Sequence, residues 1–212
     1  MPQPTVHEQI AAHRLLPVIA IPDVAAAGPL ADALVAGGLP VAEVTLRTEA
    51  GLASIEAMAK RDDLLVGAGT VLTVDQAERA ADAGAKFIVA PGTSPAVIEW
   101  CLKHDLPIYP GVATPSEITQ AVTLGIYVVK FFPAEALGGI KTLKAFAAPF
   151  SNVKFVPTGG VSTANVADYL ALPAVLACGG SWMVKKDWLA ERKFDEVERV
   201  TREAVQAVAA SA

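Results

Sequence analysis

A lysine stands inside an apolar run, Tyr127-Val128-Val129-Lys130-Phe131-Phe132-Pro133. If the run is a strand, alternation puts Val128, Lys130 and Phe132 on one face. Taking an ammonium out of water favours the neutral amine, a nucleophile for carbonyl carbon. Such a lysine can also be purely structural, snorkelling to a rim or pairing with a carboxylate. A second run, Val41-Ala42-Glu43-Val44-Thr45-Leu46-Arg47, puts Glu43, Thr45 and Arg47 on one face. A semi-buried glutamate can shuttle protons to and from an amine adduct. The planar fork of Arg47 suits a substrate carboxylate. A buried ion pair would account for the segment equally well.

Two glycine-rich segments follow: Pro157-Thr158-Gly159-Gly160-Val161-Ser162 and Cys178-Gly179-Gly180-Ser181. Glycines let backbone N–H groups approach a phosphate, and a following helix start adds positive dipole. Neither segment carries a basic residue, so the cradle would be backbone and hydroxyl. The other reading is that the glycines only turn tight corners. Metal ligation is not expected: His7 and His13 lie in a leading segment, and His104 sits beside Asp105 in a helix–strand loop. All three read as solvated surface residues. Trp182 and Trp188 read as packing residues, and Cys178 as a small buried core residue.

The elements that must position these groups alternate along the chain. Apolar runs close on Gly, Pro, Thr or a charge at 16–21, 41–47, 64–70, 87–91, 107–111, 127–132, 153–158 and 174–179. Helical stretches lie between them, among them 24–36, 73–83, 115–124 and 137–147. Thr73 and Gln76 form a capping-box pattern, and Thr114-Pro115-Ser116-Glu117 offers an N-cap and a proline at the first helical position. Ser94-Pro95 and Ser162-Thr163 read as similar starts. Gly37-Gly38, Gly84 and Gly125 read as stops.

Alternating strand and helix imply a parallel sheet. Eight units at this spacing predict an α/β fold, a single (β/α)8 TIM barrel. A doubly wound open sheet would want a glycine-rich loop after the first strand, where Ile21-Pro22-Asp23 stands instead. The layout is one domain over 1–212: a short leading helix at 1–14, the barrel at 15–190 and a C-terminal helix at 191–212. In such barrels chemistry sits at the carboxyl ends of the strands, and phosphate sites follow strands seven and eight. Glu43, Arg47, Thr70, Lys130, Thr158 and Ser181 are the polar residues at those ends.

Composition narrows the function classes. Hydrophobic residues make up 53% of 212 and the mean hydropathy is +0.43. The longest charge-free run, 169–184, is broken by Pro173 and two glycines and is too short to span a membrane. The apolar excess reads as buried parallel strands. A net charge of −5 with no basic stripe argues against nucleic acid. The first residues lack the pattern of a secretory leader, and two distant cysteines fit a reducing cytoplasm.

Taken in order, these motifs resemble one family along almost the whole chain. They are Leu16-Pro17-Val18-Ile19, Glu43-Val44-Thr45-Leu46-Arg47-Thr48, Gly67-Ala68-Gly69-Thr70-Val71 and Val89-Ala90-Pro91-Gly92. Next come Pro110-Gly111-Val112-Ala113-Thr114-Pro115-Ser116-Glu117 and Val129-Lys130-Phe131-Phe132-Pro133-Ala134-Glu135. Pro157-Thr158-Gly159-Gly160-Val161 and Gly179-Gly180-Ser181-Trp182 complete the set. The sequence resembles the bacterial 2-keto-3-deoxy-6-phosphogluconate aldolases, also called 4-hydroxy-2-oxoglutarate aldolases. The resemblance implies a metal-free class I aldolase in which Lys130 forms a Schiff base with the C2 carbonyl and Glu43 shuttles protons. It implies that Arg47 and Thr70 hold the pyruvyl end, and that Phe132 and Pro91 wall the pocket. Gly159, Gly160, Gly180 and Ser181 would hold the phosphate of a small 2-keto acid. A homotrimer is implied as well. The other readings are a phosphogalactonate aldolase, a non-covalent sugar-phosphate isomerase or epimerase, and a non-catalytic ligand-binding barrel.

Overall fold

The computed structural model of the chain describes residues 5–209. A leading helix α1 (Val6–His13) is followed by β1 (Leu15–Ile19), α2 (Ala27–Ala36), β2 (Val41–Thr45), α3 (Gly51–Met58), β3 (Leu65–Gly69) and α4 (Val74–Asp82). Then come β4 (Ile88–Val89), α5 (Pro95–Lys103), β5 (Ile108–Tyr109), β6 (Gly111–Val112), α6 (Pro115–Thr123) and β7 (Val128–Phe131). The chain continues through α7 (Gly139–Ala147), β8 (Lys154–Pro157), α8 (Val166–Leu170), β9 (Cys178–Gly180), α9 (Lys186–Ala190) and α10 (Phe194–Ala209). The fold is α/β, and every strand pairing is parallel.

Six strands form one sheet in the order β5-β4-β3-β2-β1-β9, and three form another in the order β6-β7-β8. Most sheet positions are buried, the first residues of β3, β7 and β8 being the more open ones, because helices cover the outer face and side chains fill the inner one. All five residues of β2 are buried, Glu43 among them.

Two prolines mark where strands change partner. Leu15, Leu16 and Pro17 pair with β9, whereas Val18 and Ile19 pair with β2. Pro110 separates β5, which pairs with β4, from β6, which pairs with β7. Proline has no N–H to give a ladder, so it fits such a handover. The Pro110 carbonyl still accepts from the Lys130 N–H at 2.9 Å. The single run expected at 107–111 is therefore two short strands divided at Pro110, and the described residues form nine strand segments.

Other local expectations change in detail. Residues 24–36 form a 3-10 turn (Val24–Ala26) and then α2. Residues 137–147 start on the last residue of a 3-10 turn (Glu135–Leu137) and become α-helix at Gly139. Thr73 and Thr114 cap their helices as expected, accepting from the N–H of Gln76 and Glu117. The Gln76 side chain, however, accepts from the Leu72 N–H. Ser94 precedes α5 without a side-chain capping bond. Ser162-Thr163 does not start a helix; α8 starts at Val166 with Asn165 before it, because the Asn165 carboxamide closes a local loop onto the Ser162 N–H. The leading helix has a capping box of its own, Thr5 with Glu8. The parts of the leading and C-terminal helices expected at 1–4 and 210–212 lie outside the described residues.

Candidate active site

Strand β7 carries Lys130 and strand β2 carries Glu43. Val129 and Phe131, on the other face of β7, are fully buried. Phe131 packs edge-on against Phe146 of α7. That outward anchoring leaves Lys130 facing inward, where its Nζ lies 3.3 Å from Glu43 Oε1. Nζ also sits 5.1 Å above the Phe132 ring centre, a cation–π distance. Lys130 is 5% exposed and Glu43 0%. The other nine lysines of the chain are all exposed.

The carboxylate is only half satisfied. Glu43 Oε2 is buried and has no protein partner. Burial pushes the Glu43 pKa above its ordinary value, while the charge and hydrogen bond of Lys130 and the charge of Arg47 pull the other way. A buried carboxylate with a lone free oxygen beside a buried amine can take up and return protons.

Arg47 lies just past β2 and is held by a relay. The Thr45 hydroxyl donates to the Ile19 carbonyl at 2.8 Å and accepts from Arg47 Nε at 3.2 Å. This leaves the Arg47 fork at the mouth of a cleft of about 150 Å³. Phe132, Thr158, Gly159, Gly160, Gly180 and Ser181 line the same cleft. Val18 of β1 and Val161 of the loop after β8 line it too; both are plain aliphatic residues whose types carry no chemical signal.

The remaining expected site residues stand nearby without lining that cleft. Gly179 lies in β9 beneath it, bridged to Thr158. A methyl on Gly179 would fall 2.2 Å from Thr158 Oγ1. Thr70 and Pro91 follow β3 and β4 at the same carboxyl end of the sheet. Thr70 adopts φ 60°, the left-handed region, which a β-branched residue rarely enters. A helix dipole directly after Gly160 is not available, because α8 begins only at Val166.

The residues set aside for packing behave in two ways. The Trp182 ring covers Gly180, and Trp188 lies under Lys185. His7, expected to be solvated, instead has Nδ1 2.7 Å from the hydroxyl of buried Tyr109. His13 is half-buried. Among the described residues no group of three or more His, Cys, Asp or Glu is arranged to hold a metal ion, and no helix is long and apolar enough to cross a membrane.

A family profile described as KDPG and KHG aldolase matches residues 6–200. The chain belongs to this family. It is 47% identical over 205 residues to a 2-dehydro-3-deoxy-phosphogluconate aldolase of Treponema pallidum, covering 96% of this chain and 98% of that one. Among solved structures it resembles the KDPG aldolase of Legionella pneumophila, whose pyruvate was captured as a covalent carbinolamine. That match has a TM-score of 0.90 and 39% identity and covers 93% of this chain and 96% of the other. The KDPG aldolase of Zymomonas mobilis ZM4 with 3-phosphoglycerate matches at a TM-score of 0.87 and 38% identity, over 93% of each chain. KDPG aldolases thus resemble this chain in sequence and in backbone over nearly its full length.

Proposed function

We propose that this chain is a class I aldolase that reversibly cleaves 2-keto-3-deoxy-6-phosphogluconate to pyruvate and glyceraldehyde 3-phosphate, and 4-hydroxy-2-oxoglutarate to pyruvate and glyoxylate. The observation that carries the reading is the buried Lys130–Glu43 pair at 3.3 Å, with the second Glu43 oxygen free. Proton transfer from Nζ to Oε1 across this contact frees the amine lone pair and gives Glu43 the proton that it later donates.

The chemistry follows from those two groups. The Lys130 amine adds to the C2 carbonyl to give a carbinolamine. Glu43 donates a proton to its hydroxyl, and water leaves to form the iminium. Glu43, now a carboxylate, takes the proton from the C4 hydroxyl. The C3–C4 bond breaks, its electrons flow into the iminium, and the aldehyde departs. Protonation of the enamine at C3 and hydrolysis release pyruvate and restore the amine. Arg47 and Thr70 hold the substrate carboxylate, Phe132 and Pro91 wall the reacting carbons, and Thr158, Gly159, Gly160, Gly179, Gly180 and Ser181 form or support the phosphate end. The covalent carbinolamine of the Legionella relative and the phosphorylated ligand of the Zymomonas relative support this assignment.

The two sheets are read as one closed (β/α)8 barrel within a single 1–212 domain. Single bridges from Phe155 to Val175 and from Thr158 to Gly179, and the one-residue step at Pro110, support closure. Neither a metal nor an organic cofactor enters the mechanism. The homotrimer is carried over from the family resemblance and the cytoplasmic placement from the two distant cysteines; sedimentation tests the trimer. The function itself is tested by steady-state cleavage of both substrates and of the C4 epimer of the first, with pyruvate as the readout. Preference for 2-keto-3-deoxy-6-phosphogluconate is expected. A higher kcat/KM on the galactonate epimer would reassign the substrate, and no pyruvate from any of them would overturn the proposal.

A further inference from the structure

We propose that Glu135 and Tyr169 form a clamp that holds the glycine loop after β8 in its anion-receiving shape and so sets the preference for phosphorylated substrates. The inference rests on the phosphate reading above. The chain around Glu135 grips the loop at several points. The Ala134 N–H donates to the Thr158 carbonyl at 2.8 Å, and the Glu135 N–H donates to the Gly159 carbonyl at 3.0 Å. From the other side, Asn165 Nδ2 donates to the Gly160 carbonyl at 3.2 Å, while its oxygen accepts from the Ser162 N–H at 2.8 Å.

This pattern decides where the loop's donors point. Among the described residues the one cis peptide is Phe132–Pro133, so the loop peptides are trans. A trans peptide aims its N–H opposite its C=O. Tying back the carbonyls of Gly159 and Gly160 therefore turns the N–H groups of Gly160 and Val161 away from Glu135 and Asn165, to the side where both residues line the cleft. Successive N–H groups aimed into a concavity make an anion site without a basic side chain.

The side chain of Glu135 locks the arrangement. Its Cβ and Cγ pack on Gly160 so closely that a methyl there would lie 2.6 Å from each. Its carboxylate accepts from the hydroxyl of Tyr169, a fully buried residue of α8. Gly139 closes the pair from below; a methyl there would meet Glu135 Oε1 at 2.7 Å and the Tyr169 hydroxyl oxygen at 3.0 Å. Burial and the adjacent carboxylate keep Tyr169 protonated, as the donor must be. Asn165 and Tyr169 lie one turn apart, joined by the Tyr169 N–H to the Asn165 carbonyl. One short helix and the residue before it thus hold both sides of the loop. Glu135 and Tyr169 are positioning residues, acting through the backbone of Gly159, Gly160 and Val161.

The test compares phosphorylated and unphosphorylated substrates in the wild type, E135A, E135Q, Y169F and the double variant E135A/Y169F. Losing the one clamp hydrogen bond should raise KM for 2-keto-3-deoxy-6-phosphogluconate about 3- to 10-fold in E135A and Y169F. Values of kcat/KM for 4-hydroxy-2-oxoglutarate should stay within about twofold, because that substrate has no phosphate to place. The double variant should be no worse than either single one, since both remove the same contact. E135Q should stay near wild type, because its amide oxygen still accepts from Tyr169. Should E135A fold poorly, Y169F, which deletes one oxygen, carries the test. Equal losses on both substrates, or additive losses in the double variant, would overturn the clamp. Competition by inorganic phosphate in the wild type separates the two layers. If phosphate does not compete and the wild type shows no preference, the phosphate reading fails and the clamp with it. If the wild type does discriminate but the variants leave the ratio unmoved, only the clamp fails.

Discussion

The Glu43 carboxylate lies over the α-carbon of Gly69, in the space that any side chain there would fill. A methyl on residue 69 would fall 2.4 Å from Oε1 and 2.7 Å from Cγ. Glycine at the end of β3 is therefore part of what aims Glu43 at Lys130. Gly69→Ala should push the carboxylate off the amine. A misplacement near 1 Å should lower kcat by about 10²-fold, with a stability cost of about 1–3 kcal/mol from overpacking. Steady-state kinetics and denaturant unfolding check both, and an unchanged kcat would show that the carboxylate has room to spare.

Glu43 should give the acid side of the pH profile. Its pKa is raised by burial above the ordinary 4.5, against the pull of Lys130 and Arg47. A base works only when deprotonated, so kcat/KM should fall as pH drops through that raised value. The midpoint should lie above 4.5. Glu43→Gln should cost roughly 10²–10⁴ in kcat and remove this limb. A limb that survives in the variant would assign it to another group.

Thr70 holds φ 60° at the carboxyl end of β3. Such a conformation costs a β-branched residue about 1–3 kcal/mol, and strain of this kind is kept where it serves a site. Glycine adopts it freely but adds roughly 0.4–1 kcal/mol of unfolded-state entropy to overcome. Thr70→Gly should therefore stabilise by about 1 kcal/mol, or about 2–4 °C in Tm, while raising KM for pyruvate in the condensation direction. A lower Tm with unchanged KM would remove both the strain and the binding role.

Neither cysteine should react in the folded protein. Cys101 and Cys178 are buried, and desolvation pushes both thiols up to about 12. At pH 8 that leaves about one thiolate in ten thousand. A disulfide reagent should label no thiol under native conditions and two in guanidinium. Rapid native labelling of Cys178 would make it a candidate nucleophile after all.

What the sequence made legible follows from how strongly burial constrains residue type. A charge inside an apolar run is costly unless it is paired or used, so the sequence singles out Lys130 and Glu43 while leaving an ion pair and a reaction equally open. The strands were readable because apolar runs alternate with capped helices. The handover at Pro110 was not, since it depends on which neighbour each half of a strand meets. The relation of Gly69 to Glu43 and of Glu135 to Tyr169 was hidden for the same reason. Each joins residues far apart in the chain, and one member of each pair looks ordinary alone. Val18 and Val161 line the cleft as plain aliphatic residues, and their types carry no chemical signal. The start of α8 is not legible in the sequence because Ser162 resembles a cap, whereas the Asn165 side chain accepts from the Ser162 N–H.

The most direct test of the central claim is reductive trapping. The protein is incubated with pyruvate and borohydride, digested, and the modified peptide located by mass spectrometry. The chain has ten lysines, and the nine exposed ones supply internal controls. The account predicts one stable addition, at Lys130, abolished in Lys130→Ala while the circular dichroism spectrum is retained. No addition to the folded wild type, or addition spread over the exposed lysines, would contradict it.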